Sequence, residues 1–456
     1  MRRLKAGTAG IAVAALALTL AACGSDGGDS DGNTDTDTEG SSSGDLSAEL
    51  TWWDTSDATN EAPAYDKLIE KFNEEYPDVT IKHETVPFDQ TQNKFKTAAE
   101  SGSGAPDILR AEVAWTPEFA SLGYLYALDG TAALENNFLE TPLSSNVYED
   151  KTYGVPQVTD TLGLMYNKEL FEKAGLDPEK PPATWDEVRT AAKKIAGLGG
   201  GTVGYADYSA QNQGGWHFTA ELYSQGGDVV APDGKKATVD SPEGRAVLRT
   251  LHDMRWKDDS MGSKQLLVIN DVQQMMGSGK LGMYLAAPDN IPILVKEKGG
   301  NYKDLALAPM PGGKGTLIGG DGYMFNKKAS PEQIRAGLKW LDHMFLTPGD
   351  GFLGDYARAK KNDAPVGLPE PRLFTGAADT KDQEVKKANA NVPVENYQAF
   401  LDGNQNLDMK IEPPSAQQIY SVLDGVVSAV LTKEDADIDQ LLKDASGKID
   451  GILDRG

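Results

Sequence analysis

The 456-residue sequence predicts an α/β protein built as two lobes. Leu50–Trp53 has the composition of a buried strand, and Val79 and Ile81 alternate with polar neighbours as in a second strand. Between them, residues 60–76 place their apolar side chains on one helical face. Strands that alternate with helices form parallel sheets covered by helices. About 410 residues follow residue 48, which exceeds one ordinary core and suits two lobes of ~200 residues each.

Start and stop signals delimit the other elements. Pro77 ends the first helix, and the segment 106–109 predicts a third strand. Residues 184–187 and 330–333 have the residue types of capping boxes, so each is expected to begin a helix. Apolar residues recur at helical spacing over 415–453, which predicts that the chain ends in helices.

The first 22 residues have the pattern of a secretory signal peptide. Arg2, Arg3 and Lys5 precede an uncharged, mostly apolar stretch that extends to Ala22. This stretch is marginal in length for a membrane-spanning helix and ends in small residues. We therefore expect residues 1–22 to direct export and to be removed.

A lone cysteine, Cys23, directly follows this stretch and cannot form an internal disulfide. The segment 20–24 resembles the lipobox of bacterial lipoproteins, and the resemblance implies lipidation of Cys23. The alternative is a small apolar residue inside the signal peptide. Two or more acyl chains hold a soluble domain at a membrane. Residues 23–48 are expected to form an acidic, disordered Gly/Ser tether on the extracellular face of the cell membrane.

The composition is strongly acidic. Removal of the three cationic leader residues lowers the formal charge from −25 to −28. Nucleic acid is therefore excluded as a partner, because like charges repel. An acidic surface otherwise favours solubility and identifies no substrate. A monomer is the default expectation for a protein tethered in this way.

Several segments resemble, in their order and in their amino-acid sequences, those of the extracellular solute-binding proteins of family 1, which serve carbohydrate ABC importers. The resemblance extends over residues 50–435, and its most distinctive segments are 104–108, 153–156, 160–162, 166–171 and 181–187. It implies that the protein captures a short oligosaccharide or a monosaccharide by hinge closure and delivers it to permease subunits. It also implies that the protein is not an enzyme and uses no cofactor or metal.

The same resemblance implies a periplasmic-binding-protein-like α/β fold with two discontinuous lobes, a hinge and an interlobe ligand cleft. The chain is expected to cross between the lobes near residues 158–161, 307–311 and 360–365. The expected lobes are residues 49–158 plus 310–360 and residues 162–306 plus 365–456.

A sugar site needs aromatic faces for C–H surface and planar hydrogen-bonding side chains for hydroxyls. By its place in the family motif, Asp160 is expected to accept hydrogen bonds from two hydroxyls, or else to stabilise the hinge. Trp216 lies in a glycine-flanked segment that suggests an exposed loop, where it would stack on a sugar, or else it fills the core. Glu112 follows a strand end, where ligands bind, but could equally be a solvated surface acid. The complete expected set is Asp54, Ser56, Glu112, Trp115, Asp160, Trp216, Asp289 and Asp321.

Two further observations bear on the ligand. Trp52 and Trp53 must point to opposite faces of a strand, so one is expected in the core and the other is a candidate ligand contact. Asp289 and Asp321 stand where maltose-type relatives carry aromatic rings. Fewer rings and more carboxylates suggest a ligand that is shorter or more heavily hydrogen-bonded than a long maltodextrin.

Two other functional classes stay open. An exported carbohydrate-active enzyme would need two positioned carboxylates, one with a raised pKa, and acids are plentiful here. A lipid-anchored adhesin or scaffold would bind no small ligand. The sequence contains no phosphate-binding loop, and its four histidines are scattered. Product formation would reveal an enzyme, whereas the absence of any stabilising small solute would indicate a scaffold.

Overall fold

The computed structural model describes residues 46–55, 62–131, 134, 137–158, 160–211, 213–347, 351, 353–404 and 406–455. The expected signal peptide, Cys23, most of the tether and Ser56 lie outside these residues. The strands are β1 Ala48–Asp54, β2 Val79–Thr85, β3 Ile108–Glu112, β4 Val147–Tyr148, β5 Lys151–Thr152, β6 Gly154–Pro156, β7 Asp160–Thr161, β8 Gly163–Asn167, β9 Val203–Tyr205, β10 Leu281–Ala286, β11 Leu305–Ala308, β12 Gly315–Gly319, β13 Asp321–Phe325 and β14 Asp408–Lys410.

The α-helices are α1 Ala62–Glu75, α2 Phe88–Ser101, α3 Thr116–Ser121, α4 Glu140–Ser144, α5 Lys168–Lys173, α6 Trp185–Ala196, α7 Gln213–Ser224, α8 Pro242–His252, α9 Ile269–Gly277, α10 Asn290–Lys296, α11 Pro331–Leu341, α12 Tyr356–Lys361, α13 Gly376–Asn389, α14 Gln398–Asn404, α15 Ala416–Thr432 and α16 Ile438–Leu453. Short 3-10 turns cover Val113–Trp115 and Val394–Tyr397, and π-helical turns extend α8 and α11 over Asp253–Lys257 and Asp342–Leu346. Within the described residues, no helix combines the length and the apolar character needed to cross a membrane.

The first sheet has the strand order β2-β1-β3-β13-β6. β1 is parallel to both β2 and β3, as the strand–helix alternation predicts, whereas β13 runs antiparallel to β3 and β6. Successive strand residues point to opposite faces, so Trp52 packs with Tyr65 and Trp340 on one face while Trp53 packs with Phe95 on the other. Trp52 and Trp53 are 0% and 6% exposed. Both faces of the sheet are covered, so neither residue is exposed, and the predicted contact of one of them with ligand stays a prediction.

The second sheet has the order β11-β8-β10-β9 and its own cores. β8 runs antiparallel to β10 and β11, and β9 is parallel to β10. One face packs against α6, α7, α8, α15 and α16. The predicted capping box at the start of α6 is confirmed: Thr184 Oγ1 accepts from the Glu187 amide, and the Glu187 carboxylate accepts from the Thr184 amide.

A small third sheet, of order β14-β12-β7, lies where the chain passes between the two larger sheets. The chain leaves β6 of the first sheet, runs through β7 and enters β8 of the second. It returns from β11 through β12 to β13 of the first sheet. A later segment passes between the cores again, because Leu368 packs in the second set of cores and Phe374 in the first. The precise residues that bound each lobe stay a prediction.

Candidate functional site

Charged side chains gather at the carboxyl ends of β1 and β3 in the first sheet. Asp321 at the start of β13 is directly opposite Glu112 at the end of β3, so their side chains share one face. Arg110, two residues earlier on the same face, forms an ion pair with Asp321 (Nη2 to Oδ2, 2.7 Å). Strand ends of this kind are the usual binding edge of an open α/β sheet.

The turn Gly319–Asp321 brings Asp160 to this edge. Asp160 in β7 is opposite Gly319 of β12, at the point where the chain crosses between the large sheets. The Gly320 amide donates to Glu112 Oε1 (3.0 Å), and the Gly320 carbonyl accepts from the Val113 amide (2.9 Å). Gly320 has a φ of +128°, which glycine alone adopts readily. A glycine turn thus joins three of the expected carboxylates.

Asp289 and Glu412 complete what we call the cleft acid cluster: Glu112, Asp160, Asp289, Asp321 and Glu412. Burial, together with the neighbouring charges of Asp289 and Asp321, raises the pKa of Asp160 to about 8. Burial also raises the pKa of Glu112 well above its ordinary value, reinforced by Asp321, Glu412 and Asp160. Burial raises the pKa of Glu412 to about 7. Asp289 is exposed to solvent. The protein atoms around its carboxylate nevertheless displace enough water to raise its pKa as well.

An aromatic pair borders the cluster. The ring of Trp216, in the first turn of α7, stacks on that of Tyr208 with 6.0 Å between centroids. Tyr208 in turn meets the edge of His217 at 4.1 Å, and His217 Nδ1 lies 3.0 Å from Asp207 Oδ1. Burial raises the pKa of Tyr208, and the charge of Asp289 raises it further, which places the pair next to the acids.

A cavity of about 480 Å³ adjoins the cluster. Arg110 and Glu370 line it, and the charge of each affects the pKa of Asp160. Its wall also includes Gln157, Tyr356 and other residues of the 353–386 segment. The volume falls within the range of ~300–1,000 Å³ typical of small-molecule pockets. The described residues contain no group of three or more His, Cys, Asp or Glu side chains placed to hold a metal ion.

Residues 57–371 match the family described as bacterial extracellular solute-binding proteins. The chain belongs to this family. A binding protein of Brucella abortus is 28% identical over 407 residues, which cover 86% of this chain and 90% of that protein. An arabinooligosaccharide-binding protein of Halalkalibacterium halodurans is 31% identical over 215 residues, or 46% of each chain. Proteins of this family act outside the cytoplasm as binding proteins.

A solved structure of the GacH receptor of Streptomyces glaucescens, determined without ligand and with acarbose, is 30% identical to this solute-binding protein. It has a TM-score of 0.67 and covers 90% of this chain and 99% of its own. Maltose-bound MalE3 of T. maritima is 25% identical, with a TM-score of 0.68 over 89% of this chain and 99% of its own. These neighbours are two-lobed sugar-binding proteins, which confirms the predicted two-lobe α/β fold.

Four expected site residues of the solute-binding protein converge: Glu112, Asp160, Asp289 and Asp321 form the core of the cleft acid cluster. Trp216 lies beside them, but the expectation of an exposed loop is wrong, because the residue is half-buried on a helix. A Cβ on its neighbour Gly215 would lie 2.3 Å from the Tyr420 carbonyl oxygen. This glycine therefore permits close packing of α7 on α15 rather than marking a loop.

Two other expected residues are placed differently. Asp54 is fully buried at the end of β1, where its Oδ2 lies 2.8 Å from His83 Nε2. Trp115 is half-buried in the 3-10 turn after β3 and packs towards Phe119, with ring centroids 6.2 Å apart. The predicted contacts of Asp54 and Trp115 with a ligand stay predictions, and Ser56 lies outside the described residues.

Sequence reasoning missed three residues at the site: Arg110, Glu412 and Tyr208. Arg110 precedes the expected Glu112 by two positions, so strand alternation alone would have put both on one face. Tyr208 follows β9 at an apolar-to-polar boundary that gives only a weak signal. No local signal marked Glu412. It reaches the site through the pairing of β14 with β12, in which Asp408 lies opposite Gly315, 93 residues earlier in the chain.

Proposed function

We propose that this solute-binding protein captures a carbohydrate at the cleft acid cluster and delivers it to the permease of an ABC importer. The observation that carries the proposal is the convergence of carboxylates from several separate chain segments, next to a stacked aromatic pair and a cavity of about 480 Å³. Carboxylate oxygens accept hydrogen bonds from sugar hydroxyls, and aromatic faces cover the C–H patches of the ring. The sugar ligands named for GacH and MalE3 support the same ligand class.

Individual roles follow from the geometry. Asp160 lies at the crossing β7, where a ligand bonded to it contacts the hinge between the lobes. Glu112 and Asp321 lie on the first sheet, whereas Asp289 follows β10 of the second. A saccharide that bonds acids of both sheets is held better in a closed state than in an open one. Differential contact of this kind drives hinge closure.

The protein's location and assembly form part of the proposal. An extracellular binding protein needs to stay near its permease, and lipidation at Cys23 followed by the acidic tether would achieve this. We also propose that the protein is a monomer, that the lobes divide as expected from the sequence, and that the bound sugar leaves unchanged. Palmitate labelling that is lost in a Cys23→Ala variant would support the anchor.

A calorimetric and thermal-shift screen of mono- and disaccharides tests the central claim. A cognate sugar should raise the melting temperature, because a ligand that binds the folded state stabilises it. Asp160→Ala should weaken or abolish that shift, while Asp435→Ala, which removes an exposed acid between α15 and α16, should leave it unchanged. If no saccharide produces a shift, the proposed carbohydrate function is wrong; if a sugar is converted to product, the protein is an enzyme.

A further inference from the structure

Two further rings lie behind Trp216. Its ring stacks on that of Tyr208, with 6.0 Å between centroids, and lies 5.3 Å from that of His217 at an angle of 57°. Tyr208 and His217 also contact each other edge to face, at 4.1 Å. Trp216 is half-buried, whereas Tyr208 and His217 are 5% and 1% exposed. Trp216 is therefore the member of this ring cluster that can meet a ligand, and the other two rings support it from inside the protein.

A buried carboxylate holds the histidine of the ring cluster. His217 Nδ1 lies 3.0 Å from Asp207 Oδ1, and both side chains are 1% exposed. With the carboxylate oxygen as acceptor, this bond places the ring hydrogen on Nδ1. His217 Nε2 has no hydrogen-bond partner among the described residues, so within them Asp207 is the group that fixes the plane of the imidazole.

The bond between Asp207 and His217 also joins two elements of the fold. Asp207 comes two residues after the end of β9, and His217 directly follows Trp216 in the first half of α7. The bond therefore ties the end of a strand to the part of the helix that carries Trp216. Because both side chains are buried, neither is open to a bound sugar, and any effect on binding has to pass through Trp216.

A ring that is already held in place binds better than one that a ligand has to immobilise. Immobilising one side chain on binding lowers the affinity by about threefold to tenfold. We propose that Asp207 and His217 are positioning residues, which hold the ring of Trp216 in the orientation that stacks on a saccharide. This inference rests on the proposed carbohydrate function and adds to its site two residues that do not touch the ligand.

A double-mutant cycle distinguishes this role from a structural one. Asp207→Ala should weaken saccharide binding by about threefold to tenfold when Trp216 is present. In the Trp216→Ala background the same change should have no further effect on affinity, because no ring remains to be positioned. A pair that only stabilises the fold would lower the melting temperature in both backgrounds and leave the affinity unchanged.

Two conservative substitutions separate the ring from the hydrogen bond. Asp207→Asn keeps an acceptor oxygen for Nδ1 and should retain the affinity. His217→Asn keeps a donor for Asp207 but removes the ring behind Trp216, so it should weaken binding as Asp207→Ala does, and it provides the test if Asp207→Ala does not fold. Ser224→Ala, at the other end of α7, is the matched control. It removes the buried acceptor of the Trp185 indole N–H (2.9 Å) and should leave the affinity unchanged.

Calorimetry with glucose, arabinose, maltose and maltotriose measures these affinities, and melting curves verify that each variant is folded. Folded Asp207→Ala and His217→Asn variants that bind as tightly as the wild type would overturn the inference and leave the carbohydrate function standing. A loss of affinity that is as large without Trp216 as with it would also overturn the inference. If the wild type binds none of these sugars and no other saccharide, the proposed function and the inference fail together.

Discussion

Two groups of acids lie at strand ends of this protein, and they are treated in opposite ways. At the end of β1, His83 bridges Asp54 and Asp66, with ring nitrogens 2.8 Å and 3.0 Å from the two carboxylates. Among the described residues, one arginine, Arg110, forms an ion pair in the cleft acid cluster, and its partner is Asp321. The histidine therefore bridges both acids of the first group, whereas the second group has more carboxylates than cations in the part of the chain that the structure describes. The comparison shows that a strand-end acid becomes structural or ligand-binding according to its partner.

The largest expected effect is on the bridge at His83. Its imidazole is buried, lowering its pKa, but the hydrogen bonds to Asp54 and Asp66 outweigh burial and raise the pKa overall. His83→Gln removes the charge that both acids face, so the free energy of unfolding should fall by about 2–4 kcal/mol, since breaking a buried pair is costly. Denaturant unfolding at pH 5.5 measures this.

A matched control distinguishes the bridge from histidine replacement in general. Among the described residues, His252 at the end of α8 bonds the Glu434 backbone carbonyl (2.7 Å) and lies 3.6 Å from the Asp253 carboxylate. His252→Gln should cost less than about 1 kcal/mol, as expected for substitutions away from buried networks. Equal losses in the two variants would show that the bridge at His83 contributes no special stability.

Asp160→Asn should affect ligand binding rather than folding. Loss of a charge-assisted hydrogen bond should weaken the affinity for the saccharide found in the screen by about 1.5–3 kcal/mol. The empty protein should melt at the same temperature or higher, because burial already disfavours the charged form of Asp160 and asparagine is neutral at every pH. Calorimetry and a thermal melt of the same preparation measure both quantities, and a destabilised variant with unchanged affinity would instead assign Asp160 a hinge role.

The two groups of acids are also expected to lose their contributions to stability over different pH ranges. The raised pKa of Asp160 means that the folded state binds more protons than the unfolded chain between pH 4 and pH 8. The contribution of this group to stability is therefore present at low pH and is lost as the pH rises towards 8. The pKa of His83 is also raised. Its contribution to stability is therefore fully present below pH 6.5, the pKa of the unfolded chain, and is lost as the pH rises above that value through the folded pKa.

The pH dependence of unfolding that is due to Asp160 is the difference between the curves of the wild type and of Asp160→Asn. Between pH 5 and pH 7, the unfolding free energy of the wild type should fall by about 2–3 kcal/mol more than that of the variant, at ~1.4 kcal/mol for each pH unit. Urea titrations at three pH values provide the measurement. Parallel curves would show that Asp160 titrates in the folded protein as it does in the unfolded chain.

Local patterns predicted the fold well and the site only in part. The parallel arrangement of β1 to β3 and the capping box at Thr184 depend on residues close in sequence, so both could be predicted from the sequence. The approach of Asp160 to Glu112 depends on strand pairings between distant segments, and the family resemblance supplied it. Glu412 could not be predicted, because nothing local reveals that β14 pairs with β12.

The smallest expected effect concerns Trp216. The residue is half-buried and stacked on Tyr208, whereas Trp185 at the start of α6 is buried and donates its indole N–H to Ser224 Oγ (2.9 Å). An aromatic contact is worth about 0.5–1.5 kcal/mol beyond the area that it buries. Trp216→Ala should therefore weaken saccharide binding by at least that amount, and Trp216→Phe should restore most of it.

Stability decides between a ligand contact and a core residue at this position. Trp185→Ala should lower the unfolding free energy by about 3–5 kcal/mol, as for a large residue removed from a core. Trp216→Ala should cost much less, because part of its ring already faces solvent. If Trp216→Ala unfolds as readily as Trp185→Ala while its affinity is unchanged, the stacked pair supports the second lobe and the sugar is held by the acids alone.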